Sequence, residues 1–257
     1  MTDGPTHALV RRVSPSYAGY YARQGRAVSA PLADTQHQAY VEALESTGLA
    51  VSVVEPDETR YDCVFIEDTA VIWNGHALIT RMYQDREGEQ SGVEEVLQQS
   101  HSVTRIPEGA TLEGGDVLHV DDTTYVGLSA RTNQAGAEAL RVFLTQFGRR
   151  VVTVPVRHCL HLKTGVTYLG NGTLLTVPGW FEMDYFQADE VIYTEHGEHG
   201  SANCLRIRDH LLVSSGYPAT RERLQGFAAE HRVLVKSLDI TEFEKGDGSL
   251  TCLSLIW

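Results

Sequence analysis

The sequence predicts an α/β chain built from five copies of one supersecondary unit, and two series of short segments carry that prediction. The first is a set of apolar runs with strand character at residues 8–10, 77–80, 125–128, 174–177 and 211–214, each closing in a polar or Pro/Gly turn. The second is a set of polar residues set among apolar ones at 65–68, 111–116, 160–163, 202–204 and 250–252. From Glu67 through Glu113, His161 and Asn203 to Cys252 the steps are about 46, 48, 42 and 49 residues, a period typical of repeated supersecondary units. A fivefold arrangement about an axis is the simplest geometry. If the second series forms inner strands, Asp68, Glu113, His161, Asn203 and Cys252 converge on one central channel.

Between the two series lie helical segments. Residues 34–48, 87–101, 132–148 and 220–231 carry helical signals, whereas 178–189, in the fourth unit, lacks the periodicity. The clearest is 132–148, with Thr132 as N-cap, Ala137, Leu140, Phe143, Leu144 and Phe147 on one face, and Gly148 as the stop. Residues 13–31, rich in Ser, Gly, Tyr and Arg, fit neither period and read as a long mobile loop of functional type. No low-complexity linker interrupts the series, so one domain over 1–257 is expected. The apolar residues 253–257 are expected to form a closing strand after the Asp247-Gly248 turn.

Composition narrows the function. A chain of 257 residues, 42% hydrophobic and 21% charged, has ordinary globular composition and enough length for a sizeable core. There is no apolar run long enough to span a bilayer and no basic-then-apolar leader, which suggests a cytoplasmic protein without a membrane partner. Four scattered cysteines, Cys63, Cys159, Cys204 and Cys252, then read as reduced thiols. The formal net charge of -13, with no basic cluster, argues against nucleic acid and suits a small cationic ligand. The chain identifies no macromolecular partner; a homodimer is compatible with it.

The second series brings together residue types that make a reaction. A thiolate can attack an electrophilic carbon, a histidine can protonate the leaving group and then activate water, and a carboxylate can orient that histidine. Acyl transfer needs donors around the oxyanion, whereas Asp68 and Glu113 are acceptors, suited to a planar cation such as a guanidinium. The electrophile is then the central carbon of a guanidine. Other readings stand beside this one on residues alone: His161, between two leucines, as a hydrogen-bonded core histidine; Arg81 and Arg131 as surface cations; Asp62 and Asp247 as turn residues. Gly114-Gly115 lacks the strand-to-helix context of a phosphate loop. His158, Cys159 and His161 lack a fourth ligand at zinc spacing, so no metal is expected.

Six motifs carry a family resemblance. Asp62-Cys63-Val64-Phe65-Ile66-Glu67-Asp68, Thr111-Leu112-Glu113-Gly114-Gly115-Asp116, Ser129-Ala130-Arg131-Thr132-Asn133, Leu160-His161-Leu162-Lys163, Ala202-Asn203-Cys204 and Asp247-Gly248-Ser249-Leu250-Thr251-Cys252 together resemble the dimethylarginine dimethylaminohydrolases, or dimethylargininases. The resemblance runs nearly end to end. It implies the pentein fold, a five-bladed α/β propeller of ββαβ units with pseudo-fivefold symmetry. It also implies hydrolysis of asymmetric dimethylarginine or monomethylarginine to citrulline and a methylated amine, with no cofactor. Carried onto this chain, the family pattern makes Cys252 the nucleophile and His161 the proton donor and then acceptor. Glu113 partners that histidine and contacts the guanidinium, and Asp68 is the other guanidinium acceptor. Arg81 and Arg131 grip the α-carboxylate, Asp62 takes the α-ammonium, and Asp247 is a further active-site carboxylate. Glu67 is a supporting residue. In place of the family's apolar-tipped lid, residues 16–23 hold tyrosines, of which Tyr20 is aligned with the lid residue.

Within the superfamily, arginine and agmatine deiminases carry His-x-Asp where this chain has His161-Leu162-Lys163. Losing that carboxylate leaves room for an N-methylated nitrogen and points to the methylarginine branch. Two alternatives remain: a deiminase of free arginine or another guanidine that releases ammonia, and a non-enzymatic pentein resembling translation initiation factor six. The latter has no need of Cys252, His161, Glu113 and Asp68 together.

Overall fold

The computed structural model describes residues 4–83 and 86–257. In chain order it begins with β1 (His7–Arg11), α1 (Tyr17–Arg23), α2 (Ala30–Ser46) and β2 (Ala50–Val54). Next come β3 (Ala70–Trp73), β4 (His76–Ile79), α3 (Ser91–Leu97) and β5 (Ser102–Arg105), followed by β6 (Val117–Val120), β7 (Thr123–Leu128), α4 (Gln134–Thr145) and β8 (Arg150–Pro155). The chain continues through α5 (Leu162–Gly165), β9 (Val166–Gly170), β10 (Thr173–Thr176) and β11 (Glu190–Tyr193) to β12 (Leu205–Ile207), β13 (His210–Ser214), α6 (Pro218–His231) and β14 (Leu234–Leu238). It ends with α7 (Thr241–Glu244) and β15 (Leu255–Ile256).

Among the described residues these strands form five three-stranded sheets of one design, in which two strands pair antiparallel and the third joins parallel after a crossover. The orders are β3-β4-β5, β6-β7-β8, β9-β10-β11, β12-β13-β14 and β15-β1-β2. The fifth sheet joins the two ends of the chain, with Ala8 opposite Ile256 and Leu9 opposite Leu255. Two-residue turns at 74–75, 121–122, 171–172 and 208–209 close the other hairpins, with Asn74, Asp121, Asn171 and Arg208 at positive φ. Asn74-Gly75 and Asn171-Gly172 are the residue pair such turns favour, because both central positions need φ above zero. Asn171-Gly172-Thr173 is thus a hairpin signal that also matches a glycosylation acceptor pattern.

The chain divides into two compact units, one formed by Met1–Ile66 with Cys204–Trp257 and the other by Glu67–Asn203. In the first, Tyr17, Tyr21, Tyr40, Leu44, Phe65, Phe243 and Leu253 belong to one buried core. In the second, one face of α4, comprising Ala137, Leu140, Phe143 and Leu144, packs with Val71, Leu112, Val117 and Val126. A further cluster gathers Tyr125, Leu162, Val166, Leu174 and Phe186.

Three expectations change in detail. The polar stretches of the second series are short helical turns, each preceding one edge strand of a sheet: Ile66–Thr69, Gly114–Asp116, Leu162–Gly165, His199–Ala202 and Thr251–Leu253. A pattern of three or four residues does not separate a strand from a tight turn. The expected loop at 13–31 holds α1, buried through Tyr17 and Tyr21, and its Pro31 lies in the first turn of α2, where a missing N–H costs nothing. The cap of α4 is Asn133, whose side chain accepts from the Gly136 amide at 2.8 Å, because the Thr132 hydroxyl is turned to Asp116 instead. No helix of the described residues is long and apolar enough to cross a membrane.

The buried Tyr40 hydroxyl donates to the Leu250 carbonyl at 2.8 Å and meets Ser254 Oγ at 2.7 Å, tying α2 to the segment on both sides of Cys252. Tyr40→Phe removes the side-chain donor from that buried carbonyl and is expected to lower stability by about 1–2 kcal/mol, read as a lower urea midpoint with unchanged slope.

Candidate active site

Three loops of the unit Glu67–Asn203 bring Asp68, Glu113 and His161 together. His161 Nε2 lies 2.7 Å from Glu113 Oε2 and 4.0 Å from Asp68 Oδ1, and all three side chains are buried. Glu113 Oε1 accepts from the Tyr83 amide at 2.9 Å and lies 3.6 Å from Arg131 Nη1. Asp68 Oδ1 accepts from the Gly115 amide at 2.8 Å, and Oδ2 from Arg86 Nη1 at 2.5 Å.

The loops are held by Asp116. Its Oδ2 accepts from Ser129 Oγ at 2.6 Å and Thr132 Oγ1 at 2.7 Å, and its Oδ1 accepts from the Leu162 amide at 2.9 Å. One carboxylate therefore joins the Glu113 loop, the loop carrying Arg131 and the turn that follows His161. The Gly114-Gly115 pair serves close approach: a Cβ on Gly114 would collide with the Glu67 carbonyl, and one on Gly115 would sit 2.7 Å from His161 Nδ1 and 2.9 Å from Asp68 Oδ1. Beside the cluster, Lys163 Nζ pairs with Glu67 Oε1 at 2.5 Å, and Asn203 Nδ2 donates to the Lys163 carbonyl at 3.0 Å.

The other unit carries Cys252, Asp247, Asp62 and Tyr20. Cys252 sits half-buried in the turn Thr251–Leu253, its amide bonded to the Ser249 carbonyl at 3.2 Å. All four cysteines are thiols. Asp247 takes positive φ in the expected turn, and its carboxylate pairs with Arg26 Nη1 at 2.6 Å. Asp62 Oδ1 accepts from the Tyr21 hydroxyl at 2.7 Å, and Tyr20 stacks on Tyr61. Arg81, in the unit Glu67–Asn203, pairs with Glu87 at 3.7 Å and is half exposed.

Residues 22–177 match the model of the family described as N,N dimethylarginine dimethylhydrolase, eukaryotic. A dimethylarginine dimethylaminohydrolase of Streptomyces coelicolor is 42% identical over 96% of this chain and 95% of its own length. The enzyme of that name from Pseudomonas aeruginosa is 34% identical over 98% and 96%. The chain belongs to the dimethylarginine dimethylaminohydrolase family. A solved structure of the Pseudomonas aeruginosa enzyme, a cysteine-to-serine mutant complexed with citrulline, superimposes with a TM-score of 0.91 at 30% identity, covering 99% of this chain and all of that one. The fold is accordingly the α/β pentein fold expected from the repeats and the motifs.

In this dimethylargininase homologue the charges of the cluster are coupled. Burial alone would push the His161 pKa down, but Asp68, the hydrogen bond to Glu113 and the Asp116 charge together raise it to about 9. Burial pushes Asp68 up, yet the His161 imidazolium, the Arg86 guanidinium and the Gly115 amide hold it below the usual carboxylate range. Asp116 is raised by burial, against the pull of His161 and its hydroxyl donors. The ligand atoms of Asp68, Glu113 and His161 lie within 4.8 Å of one another, close enough for one metal ion. A metal ion there would compete with the proton on His161, because a ligating imidazole must give up that proton.

Four residues here carry no distinguishing signal in the sequence. Arg86 is buried between Asp68 and Glu89, which outweigh the cost of its burial and keep it charged. Tyr83 supplies an amide to Glu113, and its ring lies under the Arg131 guanidinium, 5.2 Å from Cζ to centroid. Asp116 and Ser129 stand inside quoted motifs, but only the fold supplies their partners.

A folded pKa of about 9 against an ordinary 6.5 means that His161 contributes stability in full below pH 6.5 and loses it as pH rises through 9. The stability difference between wild type and His161→Gln, from chemical denaturation, is expected to shrink by on the order of 3 kcal/mol across that window; a flat difference would show the imidazole already neutral. Gly115→Ala is expected to displace the imidazole and lower turnover at least about tenfold, measured at saturating substrate.

Proposed function

We propose that this protein hydrolyses Nω,Nω-dimethyl-L-arginine, and Nω-monomethyl-L-arginine, to L-citrulline and dimethylamine or methylamine. The activity is that of EC 3.5.3.18. The observation that carries the reading is the buried histidine within 4.0 Å of two carboxylates, in a chain 42% identical to a named dimethylarginine dimethylaminohydrolase.

The roles follow from the chemistry of each group. The Cys252 thiolate adds to the central carbon of the guanidinium, forming a C–S bond and a tetrahedral adduct. The His161 imidazolium gives its proton to the substituted nitrogen, the C–N bond breaks, and the methylated amine leaves a thiouronium on sulfur. Neutral His161 then takes a proton from water as the hydroxide adds to the same carbon. Collapse breaks the C–S bond and returns the thiolate, and loss of the hydroxyl proton to solvent leaves citrulline. No oxidation state changes, so the steps call on no cofactor.

Glu113 keeps the imidazole oriented through the 2.7 Å hydrogen bond and, with Asp68, favours its charged form. Asp68 and Glu113 are also the proposed acceptors for guanidinium N–H groups, with Arg131 and Arg81 assigned to the α-carboxylate, Asp62 to the α-ammonium, and Asp247 and Tyr20 to the surrounding pocket. Arg86 already donates to Asp68, so Asp68 meets substrate as a carboxylate partly neutralised by the protein. Lys163 pairs with Glu67 and thereby withholds that neighbouring carboxylate from a methylated nitrogen.

We take both compact units as parts of one domain spanning residues 1–257 and place the reaction in the cytoplasm, where a thiol nucleophile stays reduced. The net charge of -13 favours a cationic small molecule over nucleic acid, and the reading requires no macromolecular or membrane partner; a homodimer is compatible with it.

Cys252→Ala is expected to lower turnover about a thousandfold or more while dimethylarginine binding persists. Turnover is followed as citrulline together with dimethylamine. Full activity in this variant would remove Cys252 from the mechanism, and ammonia release from free arginine at a higher kcat/KM would make the protein a deiminase.

A further inference from the structure

We propose that Tyr21 is a positioning residue that acts through Asp62 to set the enzyme's requirement for an α-amino group on its substrate. The inference rests on the reading of Asp62 as the acceptor of the α-ammonium and deepens it.

Helix α1 presents two consecutive tyrosines to two consecutive residues of the chain. Tyr20 stacks on Tyr61 with the rings 7° from parallel, and the Tyr21 hydroxyl donates to Asp62 Oδ1 at 2.7 Å. The Tyr21 ring stands at 90° to both Tyr20 and Tyr61, so the three rings form a block with the carboxylate at its edge. A stack fixes position along one direction and a hydrogen bond along another. Together they determine where the Asp62 carboxylate points.

The hydroxyl is itself confined. It lies 3.1 Å from the Gly246 carbonyl, a second acceptor, while Tyr17 donates to the Glu242 carbonyl at 3.0 Å on the same segment. A phenol has one proton, and the charged acceptor holds it more strongly than a neutral carbonyl. Gly246 packs so closely that a Cβ there would sit 3.0 Å from the Tyr21 hydroxyl, which limits the swing of the ring. Burial and the Asp62 charge raise the Tyr21 pKa, keeping it a donor at working pH.

A buried donor of limited swing holds the carboxylate aimed, the geometry needed to receive an ammonium group. Aromatic faces beside it add attraction for a cation and offer nothing to a neutral hydrogen. Removing the hydroxyl therefore costs substrate affinity only where an α-ammonium is present to be recognised.

The test compares kcat/KM for dimethylarginine with kcat/KM for its analogue in which hydrogen replaces the α-amino group, in wild type, Tyr21→Phe and Asp62→Asn. Wild type is expected to prefer dimethylarginine, and Asp62→Asn to lose most of that preference. Tyr21→Phe is expected to reduce the preference by roughly tenfold, with the loss in KM for dimethylarginine and the analogue changed by less than about twofold. The ratio within one variant does not depend on how much of it is folded. Equal losses for both substrates, or none for either, with Asp62→Asn still erasing the preference, would overturn the role of Tyr21 and leave Asp62 in place. An undiminished preference in Asp62→Asn would overturn the Asp62 reading and this inference with it.

Discussion

An imidazolium inside a protein is stable only where anions meet it, and the hydrogen bond between His161 and Glu113 is the contact on which this site depends. Without it and the charges of Asp68 and Asp116, burial would push the ring towards the neutral form, with no proton to give. With them, the ring is charged near neutral pH before any substrate arrives. Asp68 reinforces that state from 4.0 Å, and its own negative charge is kept by Arg86 and the Gly115 amide. The cluster is a chain of opposite charges in which removing one member strands the next. Breaking a buried pair costs more than the pair contributes, which ties the chemistry of the site to the stability of its surroundings.

The repeat explains how such a cluster can be assembled from distant parts of the sequence. Each sheet is entered through a short helical turn, and the candidate polar residues sit in these turns or at their ends. A turn of three or four residues presents a side chain at a strand end while its backbone packs tightly on a neighbour, as Gly114 does on the Glu67 carbonyl. Asp116, at the end of one such turn, accepts from three donors, the farthest of them 46 residues along the sequence. The strands supply rigidity, and the turns supply chemistry.

Much of this is legible in the sequence, because the period and the motifs are both written in local residue order. The strand runs, the amphipathic face of α4 and the closing strand at 255–256 follow from apolar patterning. What escapes depends on partners far along the chain. Thr132 and Asn133 are both good cap residues, and only the buried Asp116 carboxylate decides which of them caps. Arg86 lies in a charged stretch that reads as solvent-facing, yet Asp68 and Glu89 draw it inside. Arg81, assigned to the α-carboxylate by the family resemblance, has its ion pair with Glu87. The tyrosines of α1 lack helical periodicity because their contacts are aromatic and hydroxyl contacts rather than an apolar stripe.

Pairing β15 with β1 brings residues from opposite ends of the sequence into register, Ala8 beside Ile256. Closing so long a loop costs chain entropy before any contact repays it, and pairings of such separation are among the slowest to form. The turn holding Cys252 is anchored on one side to this sheet and through Tyr40 to α2. The Cys252 thiol thus owes its ordered setting to a pairing of long sequence separation, unlike the two-residue hairpins that open the other four sheets.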